Sequence, residues 1–153
     1  MTNEFVFSRI AVGSDHAGFQ LKNQLIQWLS DQGLTPIDCG CYSEESVDYP
    51  NIAEATCEKV LSKEADCALL ICGTGIGISI AANKIDGIRA ALCTDCFSTK
   101  YTRLHNDANV ICFGARVIAG GLAEELLSIF LKTPFEGGRH QRRVDLITAL
   151  EQK

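Results

Sequence analysis

A cysteine stands directly before three alternating glycines in the segment Cys72-Gly-Thr-Gly-Ile-Gly77. A thiolate can act as a base or a nucleophile, and the positive end of a helix dipole favours that form at a helix N-terminus. Alternating glycines let the backbone turn so that several N–H groups face one concavity, which suits an oxyanion. The segment therefore predicts thiolate attack with a covalent intermediate, or proton abstraction next to a carbonyl with stabilisation of the enediolate oxygen.

The glycine pattern argues against the common nucleotide-binding loops. Gly73, Gly75 and Gly77 form G-x-G-x-G, one residue short of the dinucleotide fingerprint, and no Lys-Ser/Thr pair follows as in a Walker A loop. A cysteine phosphatase needs an arginine in such a loop, and residues 73–79 contain none. Proton abstraction fits best, and a tight strand-to-helix turn without a ligand is the alternative.

Two arginines and a histidine could bind a phosphate group near the C-terminal end. Arg139 and Arg143 lie four residues apart, on one face of a helix, where like charges destabilise each other. An anion would offset this repulsion, and two guanidinium groups with His140 near a helix N-terminus suit a phosphomonoester. A solvated basic face that includes Arg142 is the alternative.

Two of the three histidines have short polar neighbours. Asp15 precedes His16, and Asn106 follows His105. Such groupings serve in acid–base catalysis, but they also occur as helix caps or as hydrogen-bonded structural groups. The residues alone leave both interpretations open for each histidine.

An alternation of apolar runs and helical periodicity surrounds these residues. Strands are predicted at 9–13, 35–39, 67–72, 89–93 and 109–113, and helices at 19–33, 52–61, 98–104 and 120–131, with a further helix from about residue 75. This order predicts a three-layer α/β/α Rossmann-like fold with a five-stranded parallel sheet. Ligands bind at the carboxyl ends of such strands, where the segments after residues 13, 72 and 113 meet. The amphipathic segment 139–151 has no strand after it, and we expect it to pack on a partner subunit.

Length and composition set the remaining limits. A chain of 153 residues with 46% hydrophobic residues predicts one domain, 1–153. A net charge of −5 argues against a nonspecific nucleic-acid binder, and glycines interrupt the longest uncharged run, 67–83, so no membrane helix is expected. We expect a cytoplasmic protein whose eight cysteines are free thiols.

Taken together, the motifs resemble one family, the B-type ribose-5-phosphate isomerases with their lactose-pathway and allose-phosphate relatives. The similar segments are GSDHAG at 13–18, DYP at 48–50, ICGTGIGISIAANK at 71–84, GIRA at 87–90, HNDANV at 105–110, FGARV at 113–117 and EGGRHQRRV at 136–144. Residues 1–8 look like a short extension to the pattern. The cysteines at 39–41 and 93–96 are not part of it.

The resemblance assigns a role to each candidate residue. It implies that Cys72 moves a proton between carbons 1 and 2 of an open-chain sugar phosphate, and that His105 opens the furanose ring with help from Asp15 and Thr74. One branch of the family uses a glutamate where this chain has Ile78, which cannot carry a proton, so the base here should be Cys72. The implied substrate contacts comprise an anion hole from the backbone of Gly73, Thr74, Gly75, Ile76 and Gly77, phosphate contacts from His16, Arg116, Arg139 and Arg143, and sugar contacts from Tyr49 and Asn106.

The same resemblance implies the reaction and the assembly. The expected function is interconversion of D-ribose 5-phosphate and D-ribulose 5-phosphate in the non-oxidative pentose phosphate pathway, without metal or cofactor. Isomerisation of allose 6-phosphate or galactose 6-phosphate is the alternative, and a non-catalytic sugar-phosphate sensor is a further one. The expected assembly is a homodimer or tetramer in which two subunits share each active site.

Overall fold

The computed structural model describes residues 4–153, which form a parallel five-stranded sheet and six α-helices. The strands are β1 (Arg9–Ser14), β2 (Thr35–Asp38), β3 (Cys67–Cys72), β4 (Ala90–Leu92) and β5 (Val110–Gly114). The helices are α1 (Phe19–Asp31), α2 (Tyr49–Leu61), α3 (Ile76–Asn83), α4 (Cys96–Asn106), α5 (Gly120–Lys132) and α6 (Arg139–Ala149). The strand order is β2-β1-β3-β5-β4, so the predicted Rossmann-like fold is confirmed.

The sheet divides the core into two apolar clusters because successive side chains of a strand point to opposite faces. Ile10 and Val12 pack with α1 and α5 on one face, and Ala11 between them packs with α2 and α3 on the other. Cys72 ends β3 on the second face, and Ile71 beside it belongs to the first. Both faces of the inner strands are thus covered, which is why their sequences read as continuous apolar runs.

The chain reverses direction across the sheet between β1 and β3. It runs outward from β1 to β2, and then returns past β1 to form β3, so the carboxyl ends of β1 and β3 are neighbours with no connection above them. Ser14 pairs with Ile71, and the N–H of Asp15 donates to the Ile71 carbonyl at 3.1 Å. This is the position where parallel α/β sheets bind ligands.

An ion pair between a buried lysine and an exposed aspartate fixes the loop beside this position. Lys22 is fully buried on α1, and its Nζ lies 2.8 Å from the Asp38 carboxylate at the end of β2. The same carboxylate accepts a hydrogen bond from the N–H of Gly40 at 2.9 Å, and the Gly40 carbonyl accepts from the N–H of Ser14 at 2.7 Å. The end of β2 is therefore tied to the end of β1.

The ends of several elements differ from the sequence prediction. Helix α2 begins at Tyr49 rather than at residue 52, because Pro50 has a backbone angle suited to a first helical turn. Strand β4 spans three residues instead of five, at the edge of the sheet. These shifts leave the order and type of the predicted elements unchanged.

Helix α6 packs on α4 of its own chain. His140 and Val144 are its buried residues, whereas Leu146 and Ile147 are 59% and 45% exposed. The expected contact of this helix with a partner subunit therefore concerns its outer face and stays a prediction.

The N-terminal segment packs on the body of the fold from residue 4 onward. The Phe7 ring stacks on Phe130 at 6.0 Å, and the N–H of Val6 donates to the Leu131 carbonyl at 2.8 Å. Residues 1–3 of the predicted extension lie outside the described part of the chain. No helix within residues 4–153 is long and apolar enough to cross a membrane.

Candidate active site

The glycine loop holds the Cys72 thiol at the carboxyl end of β3. Cys72 is 4% exposed, and its Sγ accepts a hydrogen bond from the N–H of Gly75 at 3.1 Å. Gly75 has φ +77°, a left-handed conformation that glycine adopts without strain, and α3 begins at the next residue. The sulfur therefore receives a backbone hydrogen bond at the N-terminal end of α3.

Close packing leaves no room for a side chain at two of the glycines. A Cβ on Gly75 would lie 2.5 Å from Cδ1 of Leu92 and 2.8 Å from the Phe113 carbonyl carbon. A Cβ on Gly114, at the end of β5, would lie 2.5 Å from the carbonyl of Thr74. The glycine loop and the end of β5 are therefore in direct backbone contact, which leaves the loop little room to move.

Three further predicted residues lie at this loop. The Arg116 guanidinium lies over Gly73, where a Cβ would be 3.2 Å from Nη1, and the Tyr49 ring lies against Gly77. The Thr74 hydroxyl accepts a hydrogen bond from the N–H of Ile76 at 3.2 Å, at the first residue of α3. Arg116 therefore supplies a positive charge next to the thiol loop, and Tyr49 forms part of its wall.

Asp15 and His16 follow β1 and are both hydrogen-bonded within the chain. Oδ1 of Asp15 accepts from the N–H groups of Ala17 at 3.0 Å and Gly18 at 3.2 Å, so this carboxylate caps the short 3-10 turn His16–Gly18. Nδ1 of His16 accepts from the N–H of Val47 at 3.3 Å. The capping interpretation thus applies to Asp15, and the catalytic assistance expected of it stays a prediction.

A second group of residues, which includes the predicted His140 and Asn106, surrounds His105 near the end of α4. The His105 and His140 rings stack 4.0 Å apart with an angle of 12° between their planes. Tyr101 meets His105 edge-on at 4.9 Å, and Oε2 of Glu136 lies 3.8 Å from Nε2 of His105. Asn106 is exposed and lines the same surface cavity as Tyr101 and His105.

The surroundings of His140 disfavour its protonated form. Burial, the neighbouring His105 and the nearby Arg139 all lower the pKa of His140, and Glu136 acts in the opposite direction. Its Nε2 is buried without a hydrogen-bond partner in the described chain. Arg139 and Arg143 are exposed, and no acidic side chain within residues 4–153 forms an ion pair with them.

The thiol loop and the His105 cluster lie at opposite ends of the parallel strands within one chain. Cys72 is paired with Gly114 at the carboxyl end of β5, whereas His105 lies on the last turn of α4, which leads into the beginning of β5. The first and last residues of β5 lie ~13 Å apart, because the strand has five residues and rises about 3.3 Å per residue. The structure therefore brings Cys72, Thr74, Tyr49 and Arg116 together and, separately, His105, Asn106 and the residues at the start of α6.

Comparison with known proteins identifies the family of this chain. The family model described as Ribose/Galactose Isomerase matches residues 10–147. The chain belongs to the ribose/galactose isomerase family. It is similar to "Ribose-5-phosphate isomerase B" of Escherichia coli (strain K12), with 48% identity over 95% of this chain and 97% of that protein.

Other members agree in fold and in sequence. The solved structure of Clostridium thermocellum Ribose-5-Phosphate Isomerase B has a TM-score of 0.93 and 46% identity, and covers 94% of this chain and 97% of that one. "Galactose-6-phosphate isomerase subunit LacB" of Clostridium acetobutylicum is 38% identical over 88% of this chain and 78% of that protein. The family resemblance predicted from the motifs is thus confirmed, and this chain is more similar to these two ribose-5-phosphate isomerases than to that galactose-phosphate relative.

Two aromatic residues and an acid beside His105 were not predicted from the sequence. Phe97 and Tyr101 stack at 4.4 Å, and Tyr101 continues the row to His105. The three residues are four apart in α4, so helical periodicity alone could have placed them on one face. Glu136 gave no such signal, because its approach to His105 depends on the path of the chain between α5 and α6.

Substitutions of Gly77 and Gly114 should distinguish an effect on the substrate pocket from an effect on the free energy of unfolding. Gly77→Ala places a methyl group against the Tyr49 ring, which is 37% exposed and can turn aside. We expect a loss below about 1 kcal/mol in the free energy of unfolding, with a several-fold higher KM. Gly114→Ala meets backbone instead, and we expect a loss of about 3 kcal/mol.

Urea unfolding and steady-state kinetics of both variants test this contrast. Gly121→Ala is the matched control, because nothing lies within 4 Å of a Cβ at that position. Equal stability losses for Gly77→Ala and Gly114→Ala would contradict the packing described above.

Proposed function

We propose that this protein is an aldose-ketose isomerase that interconverts D-ribose 5-phosphate and D-ribulose 5-phosphate. The observation that carries the proposal is the buried Cys72 thiol, which accepts a hydrogen bond from the loop that also begins α3. Membership of the family and the 48% identity to the Escherichia coli ribose-5-phosphate isomerase B support the choice of reaction and of a five-carbon substrate.

The proposed reaction moves one proton between neighbouring carbons. His105 opens the sugar ring, and Asp15 and Thr74 assist at the ring oxygens. The Cys72 thiolate then removes the proton from carbon 2 of the aldose, which produces an enediolate, and returns it to carbon 1, while the hydroxyl proton passes from oxygen 2 to oxygen 1. Backbone N–H groups of residues 73–77 stabilise the oxygen anion in the intermediate. Because these groups carry no net charge, no full charge is left unpaired when the anion disappears.

Phosphate recognition is assigned to one histidine and three arginines, of which Arg116 lies next to the thiol loop. His16, Arg116, Arg139 and Arg143 are the proposed phosphate contacts, and His140 supports them. Tyr49 and Asn106 are the proposed contacts to the sugar. The absence of any ion pair to Arg139 or Arg143 within residues 4–153 supports this assignment, because a bound phosphate would then supply their counter-ion.

We propose that two subunits share each site. His105 lies at the opposite edge of the sheet from Cys72 of the same chain, so the proposed acid–base pair requires His105 of one protomer and Cys72 of its partner. Exposed apolar side chains on α3, β4 and α4 offer an interface for a homodimer or tetramer: Ile76 (52%), Ile80 (56%), Leu92 (37%) and Phe97 (70%). Ile76 and Leu92 lie next to the glycine loop, so an interface there would join the two groups.

We also propose a cytoplasmic location. All eight cysteines are unpaired, Cys96 is exposed, and the proposed base is itself a thiol. A reducing compartment keeps such groups in the active state.

A comparison of substrates tests the proposed sugar. Wild-type protein should show its highest kcat/KM for ribose 5-phosphate, ahead of allose 6-phosphate and galactose 6-phosphate, in assays run side by side. A higher value for either hexose phosphate would move the proposal to that branch of the family. Tight binding of all three without turnover would indicate a sugar-phosphate sensor and contradict an enzymatic role.

Replacement of the proposed base tests the chemical step. We expect Cys72→Ala to lower kcat by about 10²–10⁴-fold, because proton abstraction loses its base. The measurement is isomerisation together with exchange of the substrate proton with deuterium from solvent. Cys96→Ser is the control, because that thiol is exposed and lies outside the loop. Near-normal exchange in Cys72→Ala would refute the assignment.

Mixed oligomers test the sharing of the site between subunits. Neither Cys72→Ala nor His105→Ala should be active alone. Co-expressed and randomly assembled as dimers, they should recover about one quarter of the wild-type rate, because half of the dimers are mixed and each mixed dimer carries one intact site. No recovery in purified mixed dimers would show that each chain must supply both residues.

A further inference from the structure

The cluster around His105 contains three groups that can bind a metal ion. Each of His105, Glu136 and His140 offers one ligand atom, and these three atoms lie within 4.8 Å of one another. Two histidines and a carboxylate are a common donor set for zinc, which leaves a fourth position for water or another ligand. We propose that a zinc-class divalent cation binds to His105, Glu136 and His140.

The backbone already holds the three residues close together. His105 lies on the last turn of α4, and the N–H of Glu136 donates to the Leu104 carbonyl at 3.0 Å, which fastens the segment before α6 to that same turn. His140 lies in the first turn of α6 and stacks on His105. The donors thus come from α4, from α6 and from the segment between α5 and α6, and the backbone holds these three parts close together.

Rotation of exposed side chains would complete the coordination. Bonds of about 2.1 Å in a tetrahedral site place ligand atoms ~3.4 Å apart, so the widest separation must shorten by about 1.4 Å. Because an imidazole nitrogen binds a metal in the plane of its ring, the His105 ring must also turn out of its parallel stack on His140. The side chains of His105 and Glu136 are 35% and 56% exposed and are free to turn toward the ion. His140 is 5% exposed and provides the anchored donor.

An independent observation points to a ligand at this place. Nε2 of His140 is buried and has no hydrogen-bond partner within the described chain, a state that is rare for a buried polar atom and that a metal bond would relieve. Neutral imidazole is the form that ligates metals. Two imidazoles also favour zinc and similar transition metals over magnesium or calcium, which prefer oxygen ligands.

Nearby positive charges define the role of Glu136. Arg139 and Arg143 act on His140 electrostatically and oppose the approach of a dication. The Glu136 carboxylate is the one negative group in the donor set, so it must offset this repulsion. Its removal should therefore affect affinity more than the loss of one of three donors would by itself.

The consequence for activity is inhibition. A metal-bound His105 can neither give nor accept the proton that opens the sugar ring, so an occupied site would block the step assigned to that residue. This consequence rests on the proposed function, whereas metal binding itself does not. The metal would act as an inhibitor and has no part in proton transfer at Cys72.

Calorimetric titration of metal-free, reduced protein with zinc chloride tests the site without any substrate. We expect one ion per chain, and at least tenfold weaker binding by Glu136→Gln. The matched control is Glu125→Gln, because Glu125 lies beside the exposed Cys96, with Oε1 at 3.8 Å from Sγ, where a thiol could capture zinc instead. Glu125→Gln should bind as wild type does.

Cobalt and kinetics complete the experiment. The cobalt(II) complex of the wild-type protein should lack thiolate-to-metal charge-transfer bands, and zinc should lower kcat/KM of wild type at concentrations that leave Glu136→Gln unaffected. Unchanged zinc affinity of Glu136→Gln, or strong thiolate bands, would overturn the proposed site. If no sugar phosphate is turned over while zinc still binds through Glu136, the proposed function fails and the metal site stands.

Discussion

No side chain fits at position 75, and the thiol site depends on that restriction. A Cβ there would overlap both the Leu92 side chain and the backbone after Phe113, while the N–H of Gly75 is the group that donates to the Cys72 sulfur. The close packing of β3, β5 and β4 therefore fixes the direction of this N–H. Because the dipoles are held by the sheet itself, they need no rearrangement when charge develops in the loop, which is the condition for strong electrostatic stabilisation.

The protein separates neutral dipoles from full charges. Around Cys72 the polar groups are backbone N–H groups and the exposed guanidinium of Arg116, whereas Arg139 and Arg143, which form no ion pair within residues 4–153, lie with His105 at the opposite end of the strands. A phosphate group is charged throughout the reaction and is best bound by full positive charges. An enediolate is charged only briefly, and fixed dipoles stabilise it without leaving an unpaired full charge when it has gone. One chain carries every proposed residue, but the thiol loop and the residues around His105 lie at opposite ends of the strands. A complete site therefore requires the thiol loop of one chain and the His105 cluster of another.

Much of this architecture could be predicted from the sequence, and the exceptions share a cause. The inner strands were predictable because both of their faces are buried and their residues are continuously apolar, and Cys72 was predictable from the glycines that follow it. The start of α2 depends on how well a proline fits the first helical turn, and the length of β4 depends on its position at the edge of the sheet. The periodicity of apolar residues contains no information on either. The cap formed by Asp15 and the stack of His105 on His140 depend on backbone paths outside the regular elements, so no local pattern could decide between the alternatives.

The stacked histidines show how tertiary contacts give two residues of one chemical type different surroundings. The His140 ring is 5% exposed, and burial is the main cause that lowers its pKa, with the His105 ring 4.0 Å away acting in the same direction. The His105 side chain is 35% exposed, and Oε2 of Glu136 lies 3.8 Å from its Nε2. His105, on the last turn of α4, is therefore the ring of the pair that solvent or a ligand can reach.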